Sequence, residues 1–252
     1  MLVKRILCVF LLAGIGSSAS GGPQSPAPAP GYQVIEVRDG GSLAISVSCR
    51  GKSKQAIADV TRDQETCGRR ITTSVVEISV GGLLKNAVVF VEKLGRGKAP
   101  DLGATARLDN RGCHFVPHVQ TVTVGQTIEI TNSDPILHNT HAYAGNRTIF
   151  NLALPVQGQR IPKKITTAGI MRIKCDAGHA WMDAWIHAFP HPYHAVTGAE
   201  GKAFITGVPP GRYRVAAWHE ELGTQTVEIT VEAGKTMQVT FNELAKPAAG
   251  SS

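Results

Sequence analysis

The chain has 252 residues, a hydrophobic content of 42% and a formal net charge of +7 at pH 7. This length allows one large or two small domains, and the hydrophobic content is enough for a packed core. The basic residues are scattered and we find no nucleic-acid-binding motif, so the charge excess predicts no nucleic-acid partner.

The beginning of the chain resembles a secretory signal. Residues 1–19 contain a basic start, an apolar segment at Ile6–Ile15 and a small-residue cleavage site. The apolar segment is shorter than the ~20 residues that span a bilayer, and no later apolar run is long enough. We therefore expect a protein exported to the periplasm or the extracellular space, without stable membrane insertion. Residues 20–33 form a Pro/Ala/Gly linker, and residues 246–252 are expected to be a disordered tail.

The first half of the chain has few strand patterns. The run 43–48 is β-rich, whereas residues 50–70 are polar and are predicted to form a loop. The apolar, β-branched runs 75–80 and 87–91 are separated by a Gly-Gly pair, so we expect them to form a pair of strands.

Strand patterns are denser in the second half. Runs 119–124 and 127–131 flank a Val-Gly-Gln turn, run 170–175 is strand-like, and the stretch 136–162 is expected to be irregular. After these come further predicted strands, at Thr197–Trp218 around a Pro-Pro-Gly turn and in a final hairpin of 226–231 with 236–241. No long amphipathic helix is evident, so the fold class is predicted to be all-β.

The segment KCDAGHAWM, Lys174–Met182, contains the residues with the clearest chemistry. Cys175, His179 and Met182 fall within eight residues at the end of a strand-like run. A thiolate, an imidazole and a thioether are ligands that copper prefers, and a blue-copper centre combines two His and one Cys with a weak axial Met. Zinc is less favoured, because structural zinc usually takes more thiolates and no Met.

The second imidazole has two candidate sources in the segment DPILHNTH, His138 and His141. His118 is a further candidate that could form a second or extended metal site with His141. His187, His191 and His194 follow the candidate site and are interpreted as surface or domain-boundary residues.

Residues 107–190 resemble the cupredoxins, the family of plastocyanin, azurin and amicyanin. The resemblance rests on Phe115–Pro117, Thr123–Asp134, His138-Asn139 and the Cys-x-x-x-His-x-x-Met spacing of 175–182. It implies a Greek-key β-sandwich that holds one copper ion.

The same resemblance implies a role for each site residue. His138 and His179 would be the nitrogen ligands, Cys175 the thiolate and Met182 the axial ligand. Asn139 would hold the ligand loop in place. Trp181, in the loop itself, is expected to keep the site dry.

The chain has five cysteines, of which Cys8 lies in the predicted signal segment. If Cys175 binds metal, Cys49, Cys67 and Cys113 remain, and an oxidising compartment favours one disulfide and one leftover thiol. Cys67–Cys113 and Cys49–Cys67 are both possible. We favour Cys67–Cys113, because Cys113 lies near the start of the candidate metal domain.

Residues 201–219 resemble the second half of a carboxypeptidase-regulatory-like, or transthyretin-like, β-sandwich. The resemblance rests on Gly201-x-x-Phe204 and on the Pro-Pro-Gly-x-Tyr motif at 209–213. We therefore expect residues 34–106 and 191–245 to be the two parts of a host sandwich, with the cupredoxin-like domain inserted between them or followed by the second sandwich.

These features predict an exported mononuclear copper protein that carries single electrons to a redox protein such as a cytochrome or an oxidase. It is not expected to be an enzyme, because Met182 would fill the axial position, although a copper oxidoreductase role stays open. The alternatives are a carbohydrate-binding or adhesion module and a copper capture or delivery protein.

Overall fold

The structure is a computed structural model that describes residues 31–245. The predicted signal segment, most of the predicted linker and the predicted tail lie outside the described residues. Within residues 31–245 the chain forms twenty strands and one short helix, α1 (Gln64–Cys67), so the all-β prediction is confirmed. No helix in this range combines the length and the hydrophobicity that crossing a lipid bilayer requires.

The strands are numbered in chain order. The first six are β1 (Gln33–Val34), β2 (Gly41–Val47), β3 (Lys54–Asp59), β4 (Arg70–Val76), β5 (Val88–Val91) and β6 (Arg96–Gly97). The next nine are β7 (Ala106–Arg111), β8 (His114–Val116), β9 (Val119–Thr123), β10 (Thr127–Asn132), β11 (His138–Ala144), β12 (Arg147–Leu154), β13 (Arg160–Lys164), β14 (Gly169–Lys174) and β15 (Asp183–Phe189). The last five are β16 (His194–Val196), β17 (Lys202–Val208), β18 (Gly211–His219), β19 (Gly223–Val231) and β20 (Thr236–Phe241).

The middle strands form one two-layer unit. A sheet of order β13-β10-β7-β8 faces a sheet of order β12-β11-β14-β15-β9. Strand alternation explains the core between them, since Ile128 and Ile130 on β10 and Met171 and Ile173 on β14 are buried in one apolar cluster. Cys175 and Met182 belong to the same cluster.

The remaining large sheets interleave the two ends of the chain. One has the order β16-β5-β18-β19 and the other has the order β17-β2-β20. Strands β2 and β5 precede the middle unit, whereas their partners follow it. We propose from these pairings that residues 107–190 form a domain inserted into a host sandwich of residues 34–106 and 191–245.

Several predicted connections differ from the structure. The runs 75–80 and 87–91 do not pair with each other, because β4 pairs with β3 and β5 pairs with β16 and β18. The predicted final hairpin is also wrong, since β19 pairs with β18 while β20 runs parallel to β2 in the other sheet. Alternation identifies a strand and its buried face, but it does not identify the sheet to which the strand belongs.

Two stretches are more regular than predicted. Residues 50–70 include β3 and α1. Strand β3 pairs with β4, but β3 itself is largely exposed, so its sequence shows little hydrophobic pattern. The stretch 136–162 contains the antiparallel pair β11–β12. Strand β11 buries polar side chains, His138, Thr140 and His141, so hydrophobic periodicity does not reveal it.

Candidate metal centre

The four predicted ligands occupy three positions in the middle unit. His138 is the first residue of β11, Cys175 directly follows β14, and His179 and Met182 lie in the short loop before β15. Strands β11 and β14 are hydrogen-bonded neighbours, so their adjacent ends lie side by side. All four side chains are buried, with 0%, 5%, 0% and 1% of their surfaces exposed in the order just given.

Three of the four donor groups converge. The Sγ atom of Cys175 lies 3.5 Å from Nδ1 of His179 and 4.0 Å from Nδ1 of His138. The two imidazole rings are 4.8 Å apart between centroids, and one donor atom from each residue lies within 4.8 Å of the other two. Met182 packs in the same apolar cluster as Cys175, and its N–H donates to the His179 carbonyl at 2.9 Å.

Both imidazoles are oriented by carboxylates. Nε2 of His138 lies 2.8 Å from Asp134, and Nε2 of His179 lies 2.9 Å from Asp63. A neutral imidazole has one N–H, so donation from Nε2 leaves the Nδ1 lone pair free to bind a metal. Burial lowers the pKa of His138, which favours this neutral form, although Asp134 opposes the shift.

The thiol of Cys175 lies among backbone donors. Burial raises its pKa, and the N–H groups of Asn139, Ala177 and His179 oppose that rise. The Asn139 N–H lies 3.3 Å from Sγ, and the Asn139 side-chain oxygen accepts from the Asp176 N–H at 3.1 Å. Asn139 thus connects β11 to the ligand loop.

The donor set fits copper. Two imidazole nitrogens, one cysteine sulfur and a nearby thioether are soft or borderline ligands, and their burial gives a dry site. Zinc would be expected to take further thiolates, but of the other cysteines in the described range Cys67 and Cys113 are joined in a disulfide and Cys49 lies in a different apolar cluster.

The rival histidines have other partners. Nδ1 of His141 lies 2.5 Å from Asp176, and its Nε2 lies 2.8 Å from the Thr148 hydroxyl. Nε2 of His118 lies 2.5 Å from Glu220, and although burial opposes protonation, Glu220 raises the pKa of His118 overall. Neither histidine belongs to a candidate metal-ligand group among the described residues.

The remaining predicted site residues lie around the ligands. The Trp181 ring centroid is 5.3 Å from that of His179, and its indole N–H donates to the Cys113 carbonyl at 3.0 Å. Cys67 and Cys113 form a disulfide with an S–S distance of 2.00 Å. Cys113, Asp134 and His138 form a second close group, but the disulfide leaves Cys113 without a free thiolate.

Sequence reasoning missed the two carboxylates. Asp134 lies in the same loop as His138, four residues earlier, so its proximity could have indicated a partner. Asp63 precedes His179 by 116 residues in a segment predicted to be a loop, and no pattern in the sequence connects them.

Comparisons with known proteins find partial similarities. Residues 177–243 match the family model of the carboxypeptidase regulatory-like domain. The match confirms the predicted resemblance of the C-terminal region, although it covers less than half of the chain and begins within the ligand loop. No curated protein matches the chain.

Similar solved structures include proteins from three organisms. The copper-containing nitrite reductase of Thermus scotoductus is 22% identical, with 34% of this chain and 22% of that chain covered and a TM-score of 0.31. A purple cupredoxin of Nitrosopumilus maritimus is 23% identical, with 33% and 98% covered and a TM-score of 0.29. Amicyanin of Paracoccus versutus is 15% identical, with 36% and 84% covered and a TM-score of 0.30. The matched region of this chain therefore spans less than a quarter of the nitrite reductase.

Proposed function

We propose that this chain is an exported protein that binds one copper ion through His138, Cys175, His179 and Met182 and carries single electrons. The convergence of two imidazole nitrogens on the buried sulfur of Cys175 is the observation that supports the proposal most strongly. Copper, when bound, would supply a one-electron couple at this position.

The surroundings of the ligands favour electron transfer over copper exchange. Carboxylates fix both imidazoles, and Asn139 ties the ligand loop to β11, so the donor atoms can keep their positions in both oxidation states. A site that changes little between oxidation states has little reorganisation to overcome. The nearly complete burial of the ligands also slows direct attack by an external copper acceptor.

The proposed partner is a redox protein such as a cytochrome or an oxidase, and the proposed location is the periplasm or the extracellular space. The host sandwich and the moderately basic surface offer docking surfaces for that partner. Met182 would fill the position that an enzyme keeps open for its substrate, so we propose a carrier rather than an enzyme.

Voltammetry of the copper-loaded protein tests the proposal. Electron transfer predicts a reversible one-electron couple at one copper per chain, and loss of that couple in Cys175→Ser. Copper delivery predicts rapid exchange of Cu(I) without a stable oxidised form. Carbohydrate binding or adhesion predicts glycan binding that persists in His138→Ala. Either of the last two results, without a couple, would contradict the proposal.

A further inference from the structure

A segment of the chain outside residues 107–190 covers the ligand loop. Residues 60–69, here called the cap segment, connect β3 to β4 and include α1. Val60 and Ile71 form a small apolar cluster with Cys113, against which Cys67 and Trp181 pack. The Arg62 side chain also lies close to Gly178. A Cβ atom placed on Gly178 would be only 2.9 Å from Cδ of Arg62. The cap segment therefore lies directly on the loop that carries His179.

The backbone of the cap segment fixes the position of Asp63. The Asp63 carbonyl accepts from the N–H groups of Thr66 and Cys67, at 3.0 and 2.9 Å. Asp63 itself has φ 55° and ψ 38°, a left-handed conformation that Asp adopts more readily than most residues. The Cys67–Cys113 disulfide then joins this turn to the middle unit.

The carboxylate of Asp63 points at a predicted ligand. Its Oδ2 atom lies 2.9 Å from Nε2 of His179 and 3.5 Å from Nε of Arg62, and its side chain is 31% exposed. His179 is fully buried, and its other nitrogen faces Cys175. A carboxylate behind a metal-binding imidazole fixes both its tautomer and its ring orientation.

The two carboxylates differ in origin. Asp134 belongs to the same unit as His138, and its oxygens accept from the N–H groups of Gly112 and Cys113 at 2.7 and 2.9 Å. Asp63 comes from the part of the chain that precedes this unit. The arrangement around His179 is therefore complete only when the cap segment is docked.

We propose that Asp63 is a positioning residue of the metal centre, supplied by the cap segment, which holds His179 with Nδ1 free to bind the metal. The inference rests on the proposed function for the identity of the metal. It adds that residues 107–190 alone form a weaker site than the full chain, because they lack this carboxylate.

The first experiment uses the copper-free full chain, so that it does not depend on copper. Nitrogen-15 NMR at a pH where the histidines are neutral reports which imidazole nitrogen carries the proton. We expect His179 to be protonated at Nε2 in the wild type and in Asp63→Asn, which keeps an acceptor oxygen. Asp63→Ala should give a mixture of tautomers. Asp59→Ala, an exposed carboxylate of β3 paired with Arg70, is the matched control and should resemble the wild type.

The second experiment measures Cu(I) affinity by competition with a chelator for the same variants. Loss of such a carboxylate typically lowers metal affinity about 10- to 100-fold, and we expect a loss of this size for Asp63→Ala, with recovery in Asp63→Asn. An unchanged tautomer and affinity in Asp63→Ala would overturn the inference. A wild-type protein that binds no copper would overturn the proposed function, while the tautomer measurement would still decide the role of Asp63.

Discussion

The Sγ atom of Cys175 lies 3.5 Å from Nδ1 of His179, four residues later in the same loop. Three of the four predicted ligands come from this one short segment. The segment turns back on itself, because the N–H of Met182 donates to the His179 carbonyl. Only His138 comes from a different strand. The site therefore depends on the pairing of β11 with β14, which brings the two parts together.

Replacement of the two rival histidines distinguishes the ligand from its neighbour. We predict that His138→Ala abolishes tight copper binding, because its Nδ1 is one of the donors around Cys175. His141→Ala is the matched control on the same strand, and it should retain stoichiometric binding, because His141 contacts Asp176 and Thr148 instead. Calorimetric titration with copper measures the affinity and the stoichiometry of each variant. Retained binding in His138→Ala with loss in His141→Ala would reverse the assignment.

Replacement of Met182 tests the axial position. We predict that Met182→Leu retains copper but has a higher reduction potential, because loss of a weak donor disfavours the more highly charged ion. Met171→Leu is a suitable control, since Met171 lies in the same apolar core on β14. A swap of this kind costs less than about 1.5 kcal/mol of stability. Equal potentials in the two variants, measured by voltammetry, would argue against Met182 as a ligand.

The disulfide is expected to stabilise the whole chain. Cys67 and Cys113 are 46 residues apart, and closure of a loop of this length stabilises a fold by roughly 4 kcal/mol in the chain-entropy model. We predict that the double variant Cys67→Ala/Cys113→Ala loses free energy of unfolding up to this size, as measured by urea denaturation of the copper-free protein. Cys49→Ala, which removes a buried free thiol, should lose only the smaller free energy of a core cavity. A double variant as stable as the wild type would show that the disulfide contributes no net stability.

The protein is expected to lose stability in acid because of three histidines near the boundary between the middle unit and the host strands. His187 and His191 are buried and His194 is partly buried, so the surface alternative is wrong for the first two. Burial lowers the pKa of His187 to about 4, although Glu220 opposes this shift, and burial lowers the pKa of His194 to about 3. Below pH 6.5 the unfolded chain therefore binds more protons than the folded protein. The stability that these neutral histidines contribute is complete above that pH and is lost as the pH drops toward 4.

The size of this effect follows from the shift. For His187 alone, the free energy of unfolding is expected to fall by about 3 kcal/mol between pH 6.5 and pH 4. Urea denaturation of the copper-free protein at several pH values measures it, and His187→Gln should flatten the dependence. A variant with the same pH dependence as the wild type would contradict the assignment.

Much of the fold follows from local patterns. Alternation predicted strands such as β2, β10 and β14, because each buries one apolar face. It failed for β11, where His138 and Thr140 occupy buried positions, and for β3, which lies outside both large cores. It also failed for strand partners, since β19 and β20 enter different sheets despite the short turn between them.

The candidate site, like the fold, was only partly predictable from the sequence. Ligand types and spacing in 174–182 were sufficient to suggest Cys175, His179 and Met182, because these residues share one loop. The choice of His138 over His141 came from resemblance to a family. The contact of Asp63 with His179 could not be predicted, because it depends on how a distant hairpin docks, and neither residue shares a local pattern with the other.

The most direct test of the copper centre is the visible and electron paramagnetic resonance spectrum of the wild-type protein after addition of Cu(II). We expect a strong visible absorption from thiolate-to-copper charge transfer at one copper per chain, and we expect this absorption to be absent in Cys175→Ser. A colourless wild-type protein that fails to take up one equivalent of copper would contradict it.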